Sequence, residues 1–382
     1  MKYIVKTIHG LEAVLAEELR QLGAKEIELL TRAVSFEGGI TVLYKANLHL
    51  RTALRILMPV HRFEAFDEHE LYQAIYDFDW FPYLKVNQTF AIDATVSSQF
   101  FTHSKYVALK TKDAIADQFR KRLGKRPSVD TADPDLRINV HVFKNAFTIS
   151  IDSSGDSLHK RGYRLRLHPA PINEVLAAGM VLLSEWTPDQ VLADPMCGSG
   201  TILMEAAMFA KNIPPAPRNR RFGFQTWKNY DPLIWKDIVT ESRDATRNPK
   251  LQIFGSDREQ LALDITKESI LKFNLERDID LRNRDFRKST PPAPEGVLIT
   301  NPPYGERIGA ADMNAFYEMI GDRLKQEWTG WDAWMISSNM EALKHIGLRP
   351  SKKTVLFNGP LECKFQKFSL YSGSKKEKKL DS

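Results

Sequence analysis

The feature that most constrains this chain is an alternation that begins near residue 170. Helical stretches at 171–186, 201–211, 258–274 and 313–328 are interleaved with short buried-type runs at 191–194 (VLAD), 252–257 (QIFGSD), 297–300 (VLIT) and 333–338 (AWMISS). Strands separated by helices must be joined by crossovers, so they lie parallel and the helices cover both faces. The last apolar runs, TVLFNG and CKFQKFSLY, are only a few residues apart and pair antiparallel at the sheet end. The predicted fold class is therefore α/β, with a mostly parallel sheet and an antiparallel last hairpin.

The residues before 170 follow a different grammar. A strand at 3–7 and a helix carrying Leu11, Val14, Leu15 and Leu19 on one stripe, stopped by Gly23, lead into strand-like pieces at 27–30, 33–37 and 41–44 and a basic helical segment near 45–57. A second α+β unit starts near 65. It has an alternating strand at 89–98, a helix at 105–123 with Ile115, Phe119 and Leu123 inward, and strands at 138–143 and 146–152 joined at Lys144-Asn145. The predicted division is 1–64, 65–165 and 166–372, with a polar tail at 373–382 expected to be disordered. Residues 214–249 interrupt the alternation with RNRRFGFQTWKNYDPLIW, which reads equally as a satellite aromatic core or as a nucleic-acid contact.

With 43% hydrophobic and 27% charged residues the chain reads as soluble and globular, and its start lacks a signal-peptide pattern, so a cytoplasmic location is expected. Two cysteines and no Cys/His cluster suggest neither a disulfide framework nor a metal site. The net charge of +6 is modest, but its distribution is uneven. Residues 104–126 carry eight basic side chains against two Asp, namely Lys105, Lys110, Lys112, Arg120, Lys121, Arg122, Lys125 and Arg126. Residues 158–168 add Lys160, Arg161 and Arg164 with no acid. Together they form a candidate phosphate-contacting surface, the alternative being a solvated helix face.

Two motifs carry chemistry. DPMCGSGT (194–201) lies where a strand ends and a helix begins, and Gly198 and Gly200 let the backbone turn sharply against a ligand facing the helix amides. It lacks both the Gly-Lys-Ser/Thr of a P-loop and the full G-x-G-x-x-G fingerprint. Asp257, ending the next strand, is placed to accept from two ribose hydroxyls or to cap the following helix. Asp285 and Phe286 could supply an acceptor for an adenine amino group and an edge for its ring.

The second motif, NPPYGER (301–307), also leaves a strand end. The prolines hold the backbone extended, so the Asn301 amide oxygen and the Pro302 carbonyl face the cleft, followed by Pro303 and Tyr304. A conjugated exocyclic amine is a poor nucleophile; two acceptors holding its protons would aim its lone pair at an electrophilic methyl group. Tyr304 would stack on a base taken out of its helix. A plain turn, with Gly305 at positive φ, is the alternative.

At this point the sequence resembles a class I S-adenosylmethionine-dependent methyltransferase of the amino-methylating group, whose seven-stranded domain is Rossmann-like. KTKDAIADQFRKRLGKRPSVDTADPDLRINVHVF and DSSGDSLHKRGYR are similar to the THUMP RNA-binding domain preceded by a ferredoxin-like unit, and APINEVLAAGMV resembles the helix before the cofactor loop. The likeness covers nearly the whole chain and points to the bacterial 23S rRNA guanine-N2 methyltransferase family, often labelled adenine-specific DNA methylases. It implies S-adenosyl-L-methionine as cofactor and 23S rRNA or a large-subunit precursor as partner, without metal or membrane. Asp194, Gly198 and Gly200 would line the methionine part of the cofactor, with Glu174 near it, and Pro195, Cys197, Ser199 and Thr201 would also be cofactor-binding. Asp257 and Arg258 would lie at the ribose, Asp285 and Phe286 at the adenine, and Asn301, Pro302, Pro303 and Tyr304 at the target base. Some bacterial members carry a second methyltransferase domain, so a single modification is expected of this chain. The rival expectations are an adenine-N6 DNA methyltransferase, which shares the tetrapeptide, and a non-catalytic RNA-binding or assembly protein.

Overall fold

The computed structural model describes residues 1–166, 171–217, 219–303 and 310–371, so Tyr304 and the tail expected at 373–382 lie outside the described residues. The chain forms two compact units: Met1–Thr7, Ala16–Lys160 and Ala216–Thr240 make one; Ile8–Leu15, Arg161–Pro215 and Glu241–Ser382 make the other.

The first unit is organised on one eight-stranded sheet. In chain order its strands are β1 (Lys2–Lys6), β2 (Lys25–Leu30), β3 (Ala33–Glu37), β4 (Arg55–Glu64), β5 (Thr89–Ser97), β6 (Ser128–Val129), β7 (Leu136–Phe143) and β8 (Ala146–Asp152). They are ordered β2-β3-β1-β4-β8-β7-β5-β6. The helices in chain order are α1 (Glu12–Gln21), of which Ala16 onward belongs to this unit, α2 (Ile40–His49), α3 (Glu68–Asp77) and α4 (Ser104–Leu123). Strand β4 pairs antiparallel with β1 on one side and β8 on the other, so the sheet continues through residue 64 without a break.

Here the structure departs from the sequence reading. The run at 41–44 is helical, within α2, because Leu43, Tyr44, Ala46 and Leu48 are all buried, and tertiary burial overrides the strand preference of Thr-Val-Leu-Tyr. The segment expected to be helical to 57 turns extended at Leu50 and becomes β4. In α4 the inward face is Val107, Thr111, Ala114, Ile115, Gln118 and Phe119, whereas Leu123 is 49% exposed. Gln118 is buried among apolar groups but satisfied, donating to Phe78 O at 2.7 Å and accepting from Trp80 N at 3.2 Å.

Residues 216–240 fold with the first unit although they sit inside the α/β half of the sequence. Phe224 stacks on Tyr44 with ring centroids 4.3 Å apart, and Trp235 and Phe222 pack around it. Arg221 pairs with Asp135 at 2.9 Å, and the Thr226 hydroxyl donates to Asp135 O at 2.6 Å. Gly223 lets the loop press on β8, since a Cβ there would lie 2.5 Å from Asp152 O. For these rings the satellite-core reading holds.

The second unit is a seven-stranded sheet ordered β11-β10-β9-β12-β13-β15-β14. Its strands are β9 (Leu192–Asp194), β10 (Ile253–Asp257), β11 (Ile279–Asn283), β12 (Gly296–Thr300), β13 (Trp331–Ser337), β14 (Lys352–Asn358) and β15 (Leu361–Ser369). The first five pair parallel, and β15 runs antiparallel to both neighbours. Helix α5 (Glu174–Leu183) precedes the first strand, α6 (Thr201–Ala210), α8 (Gln260–Lys272) and α9 (Ala310–Glu327) belong to the crossovers, and α7 (Pro232–Asp244) starts in the insertion. Edge strand β11, with two acidic or basic residues among five, has too little apolar signal to be read from sequence. Trp328, Trp331, Tyr317 and Leu298 close a core between α9 and the sheet, each such buried side chain contributing about 2–3 kcal/mol. No helix among the described residues is long and apolar enough to cross a membrane.

Candidate functional site

The strand order reverses at β9, between β10 and β12, and open α/β sheets bind ligands beyond the carboxyl ends of strands at such a switch point. The loop Asp194–Thr201 lies there. Gly198 and Gly200 both take positive φ, +52° and +71°. A Cβ on Gly200 would lie 2.3 Å from Thr266 Cγ2, so the loop is seated on α8, whereas one on Gly198 would meet nothing within 4 Å, leaving open space beside it. Cys197 N donates to Ser256 O at 3.0 Å, stitching the loop to β10.

Asp257 accepts Gly198 N on Oδ2 and Glu259 N on Oδ1, both at 2.9 Å. It thus braces the loop and caps the approach to α8, and each carboxylate oxygen keeps a lone pair for a ligand hydroxyl. Asp194 is fully buried and accepts the Thr300 hydroxyl at 2.8 Å and Met196 N at 3.3 Å. Burial pushes its carboxyl up to about 7, outweighing those two hydrogen bonds, and the neighbouring Asp257 carboxylate adds to the rise. Burial also drives the Cys197 thiol well above its ordinary range, so it is a small apolar wall rather than a nucleophile. Pro195 is buried, Ser199 half-buried and Arg258 exposed.

The Thr300–Asp194 hydrogen bond sets the NPPY strand end beside this loop. The next residue, Asn301, has its Oδ1 buried and finds no hydrogen-bond partner among the described residues. An orphaned buried acceptor costs about 1–3 kcal/mol and marks a place where a donor would be welcomed. Pro302 is buried, and Pro303 is exposed with its carbonyl 3.4 Å from the Tyr317 hydroxyl, which in turn lies 2.7 Å from Ser337 Oγ. Tyr304 lies outside the described residues.

At the adenine position the outcome is mixed. Asp285 caps a short 3-10 turn, accepting Arg287 N at 2.8 Å, and pairs with the Arg287 guanidinium. The Phe286 ring is 4% exposed and packed against Trp328, so it offers no exposed edge to a ligand, contrary to the sequence reading.

Two of the basic residues expected at a phosphate surface are turned inward. Arg161 is 1% exposed, and its Nε meets Glu205 Oε1, which also accepts the Tyr163 hydroxyl at 2.9 Å. Arg164 pairs with Glu174 at 3.1 Å and donates to Thr201 Oγ1 at 3.0 Å, which ties α5 to the start of α6. The cause is local: buried acids on the two helices need cations, and the chain just before α5 supplies them. Glu174 is itself buried, which raises its pKa despite Arg164, and its Oε2 has no partner among the described residues.

The remaining basic residues are displayed along α4 and its exit. Lys105, Lys121, Lys125 and Arg126 are exposed and have no carboxylate partner among the described residues. Lys110, Lys112, Arg120, Arg122 and Lys160 are engaged with Glu68, Asp113, Asp117, Asp79 and Asp156. Sequence reasoning missed Thr300, Thr266, Tyr317 and Ser337. Only Thr300, abutting Asn301, was within reach of it; the others act through contacts distant in sequence.

Three family models match successive stretches of the chain. Residues 2–57 match the family model described as the RlmL ferredoxin-like domain, 65–152 the THUMP domain, and 161–367 the RMKL-like methyltransferase domain. A candidate RNA methyltransferase of Synechocystis, slr0064, is 39% identical over 97% of both chains. The ribosomal RNA large subunit methyltransferase K/L of Syntrophotalea carbinolica is 37% identical over 97% of this chain and 54% of its own, so the chain spans about half the length of that relative. Among solved structures, SMU.472, a candidate methyltransferase complexed with SAH, superposes with a TM-score of 0.87 at 30% identity, covering 98% of this chain and 99% of that one.

Proposed function

We propose, on the premise that this chain belongs to the RMKL-like methyltransferase family, that it uses S-adenosylmethionine to methylate an exocyclic amino group of a base in RNA. The buried Asn301 Oδ1, unpartnered among the described residues and one residue from the hydroxyl that holds Asp194, is the observation that carries this reading. The finer reading is guanine N2 of large-subunit ribosomal RNA, which the name of the K/L relatives favours for the RNA but not for the base.

The cofactor fits the residues present. The loop backbone is open beside Gly198, the carboxylates of Asp194 and Asp257 have lone pairs left for a cationic amino acid and a ribose, and Asp285 stands at the end of the next strand. Bound there, S-adenosylmethionine supplies an electrophilic methyl group on its sulfonium. Asn301 Oδ1 and the Pro302 carbonyl accept the two protons of the target amine, restoring the hydrogen bond Asn301 lacks and holding the lone pair in attack geometry. Tyr317 steadies the prolines by its hydroxyl, itself fixed by Ser337. Exposed Lys105, Lys121, Lys125 and Arg126 supply sequence-independent phosphate attraction in the first unit.

The test is transfer of tritiated methyl from S-adenosylmethionine to unmodified 23S rRNA and to duplex DNA, with the products digested to nucleosides. Label in N2-methylguanosine from RNA is expected. Label in N6-methyladenine from DNA would overturn the substrate and keep the amine clamp.

A further inference from the structure

The insertion is not used up by its ring cluster. Trp227 and Lys228 line a cavity of about 490 Å³ whose other walls include Lys2, Met58, Tyr83 and Ile151, all within the first unit. The volume falls within the range of pockets that enclose a small ligand. Trp227 and Tyr83, together with Met58, Val60, Leu136 and Ile151, give it an apolar interior. Trp227 is half-buried, and its indole N–H is closed off from solvent, so it is the ring rather than the N–H that walls the cavity. At its wall Lys228 donates to Phe81 O at 2.6 Å and meets no carboxylate among the described residues, while Lys2 pairs with Glu28. No residue lining the cavity is acidic.

An apolar slot with aromatic walls and an uncompensated ammonium is suited to a flat aromatic ring joined to an anion. We propose that this cavity is a nucleotide site, taking a base against Trp227 and Tyr83 with its phosphate toward Lys228. Resting on the RNA-methylation reading above, the nucleotide is an unpaired residue of the RNA substrate, separate from the base held at Asn301. A free nucleotide shares the chemistry and is the other source. The arrangement gives the insertion two jobs: Phe222, Phe224 and Trp235 fasten it, and Trp227 and Lys228 present the site.

The test uses the full chain with guanosine monophosphate, guanosine, inorganic phosphate and a short unpaired oligoribonucleotide, each followed by equilibrium dialysis. The variants are Trp227→Ala, Trp227→Phe and Lys228→Gln. Guanosine monophosphate is expected to bind better than guanosine, and phosphate alone not to bind. Trp227→Ala should weaken the nucleotide on the order of tenfold, since stacking on one aromatic side chain commonly carries that much. Trp227→Phe, which keeps an aromatic wall, should bind close to wild type; Lys228→Gln should weaken the monophosphate more than the nucleoside.

A parallel loss of oligonucleotide affinity in the variants, with a smaller salt slope for Lys228→Gln, identifies RNA as the source. Loss for the monophosphate alone identifies a free nucleotide. The proposal is overturned if the wild-type chain binds neither, or if Trp227→Ala and Lys228→Gln, melting as wild type, bind both unchanged. Because binding is scored without methyl transfer, Trp227-dependent nucleotide binding by a chain that transfers no methyl would sink the proposed reaction and leave the cavity, and the converse would sink the cavity alone.

Discussion

The buried polar groups of the second unit and the exposed cations of α4 solve opposite problems. In the second unit a few groups are fixed by neighbours: Asp194 by Thr300 and Gly198 by Asp257 at the strand ends, and buried Arg161 by Glu205 of α6. Along α4 many charges stand in solvent, and about half already have a carboxylate nearby. The first arrangement places individual atoms; the second sums a field. Single substitutions should therefore be severe in one region and graded and salt-dependent in the other.

The sharpest break would come at Arg161. Replacing it with Ala leaves Glu205 buried without its cation, and removing one partner of a buried pair costs about 3–5 kcal/mol. Chemical denaturation should register a loss of that order, while RNA affinity per folded molecule stays at the wild-type value. If affinity fell with stability intact, Arg161 would belong to the surface after all.

Asn301→Ala comes next. It should reduce kcat on the order of 100-fold or more and leave cofactor affinity within about twofold, because the clamp acts on the amine. Dialysis with S-adenosylmethionine alongside single-turnover methyl transfer separates the two; equal losses in both would move Asn301 from the base to the cofactor.

Asp194 gives a pH signature. Its pKa is raised from the ordinary carboxylate value to about 7, chiefly by burial, so its contribution to folding stability is fully present below about pH 4 and is lost as pH rises to 7. Asp194→Asn should melt above wild type at pH 8, by the equivalent of about 2–4 kcal/mol, and approach it at pH 4, while binding S-adenosylmethionine poorly. A variant less stable than wild type at pH 8 would reverse the sign and refute the assignment.

The smallest effect belongs to α4. Lys121→Glu should weaken RNA binding only several-fold at moderate salt, with the slope of log affinity against log salt reduced by about one to two. An unchanged slope would return this face to ordinary solvation.

These contrasts also explain what could be read from the amino acids. Strand-to-helix punctuation at DPMCGSGT and the amide-proline exit at NPPY are local, since a glycine at positive φ or a proline after a strand reports its own backbone. The parallel sheet followed from periodicity alone. The fate of Arg161 and Phe286 did not, because it depends on Glu205 and Trp328, 44 and 42 residues away, and a basic run looks the same in sequence whether it meets water or a buried acid. α2 failed for the same reason: Tyr44 is held by Phe224, which is 180 residues later.

That last contact has a consequence for synthesis. The ribosome releases the chain from its N-terminal end, so all eight strands of the first unit are available once residue 152 has emerged, but Phe224 and Trp235 are not. At about 5–20 residues per second, the rings that cover Tyr44 arrive roughly 4–17 s later. During that interval the Tyr44 ring of α2 stands uncovered, a handle for a holdase, and a stop codon placed at residue 165 would leave it uncovered for good.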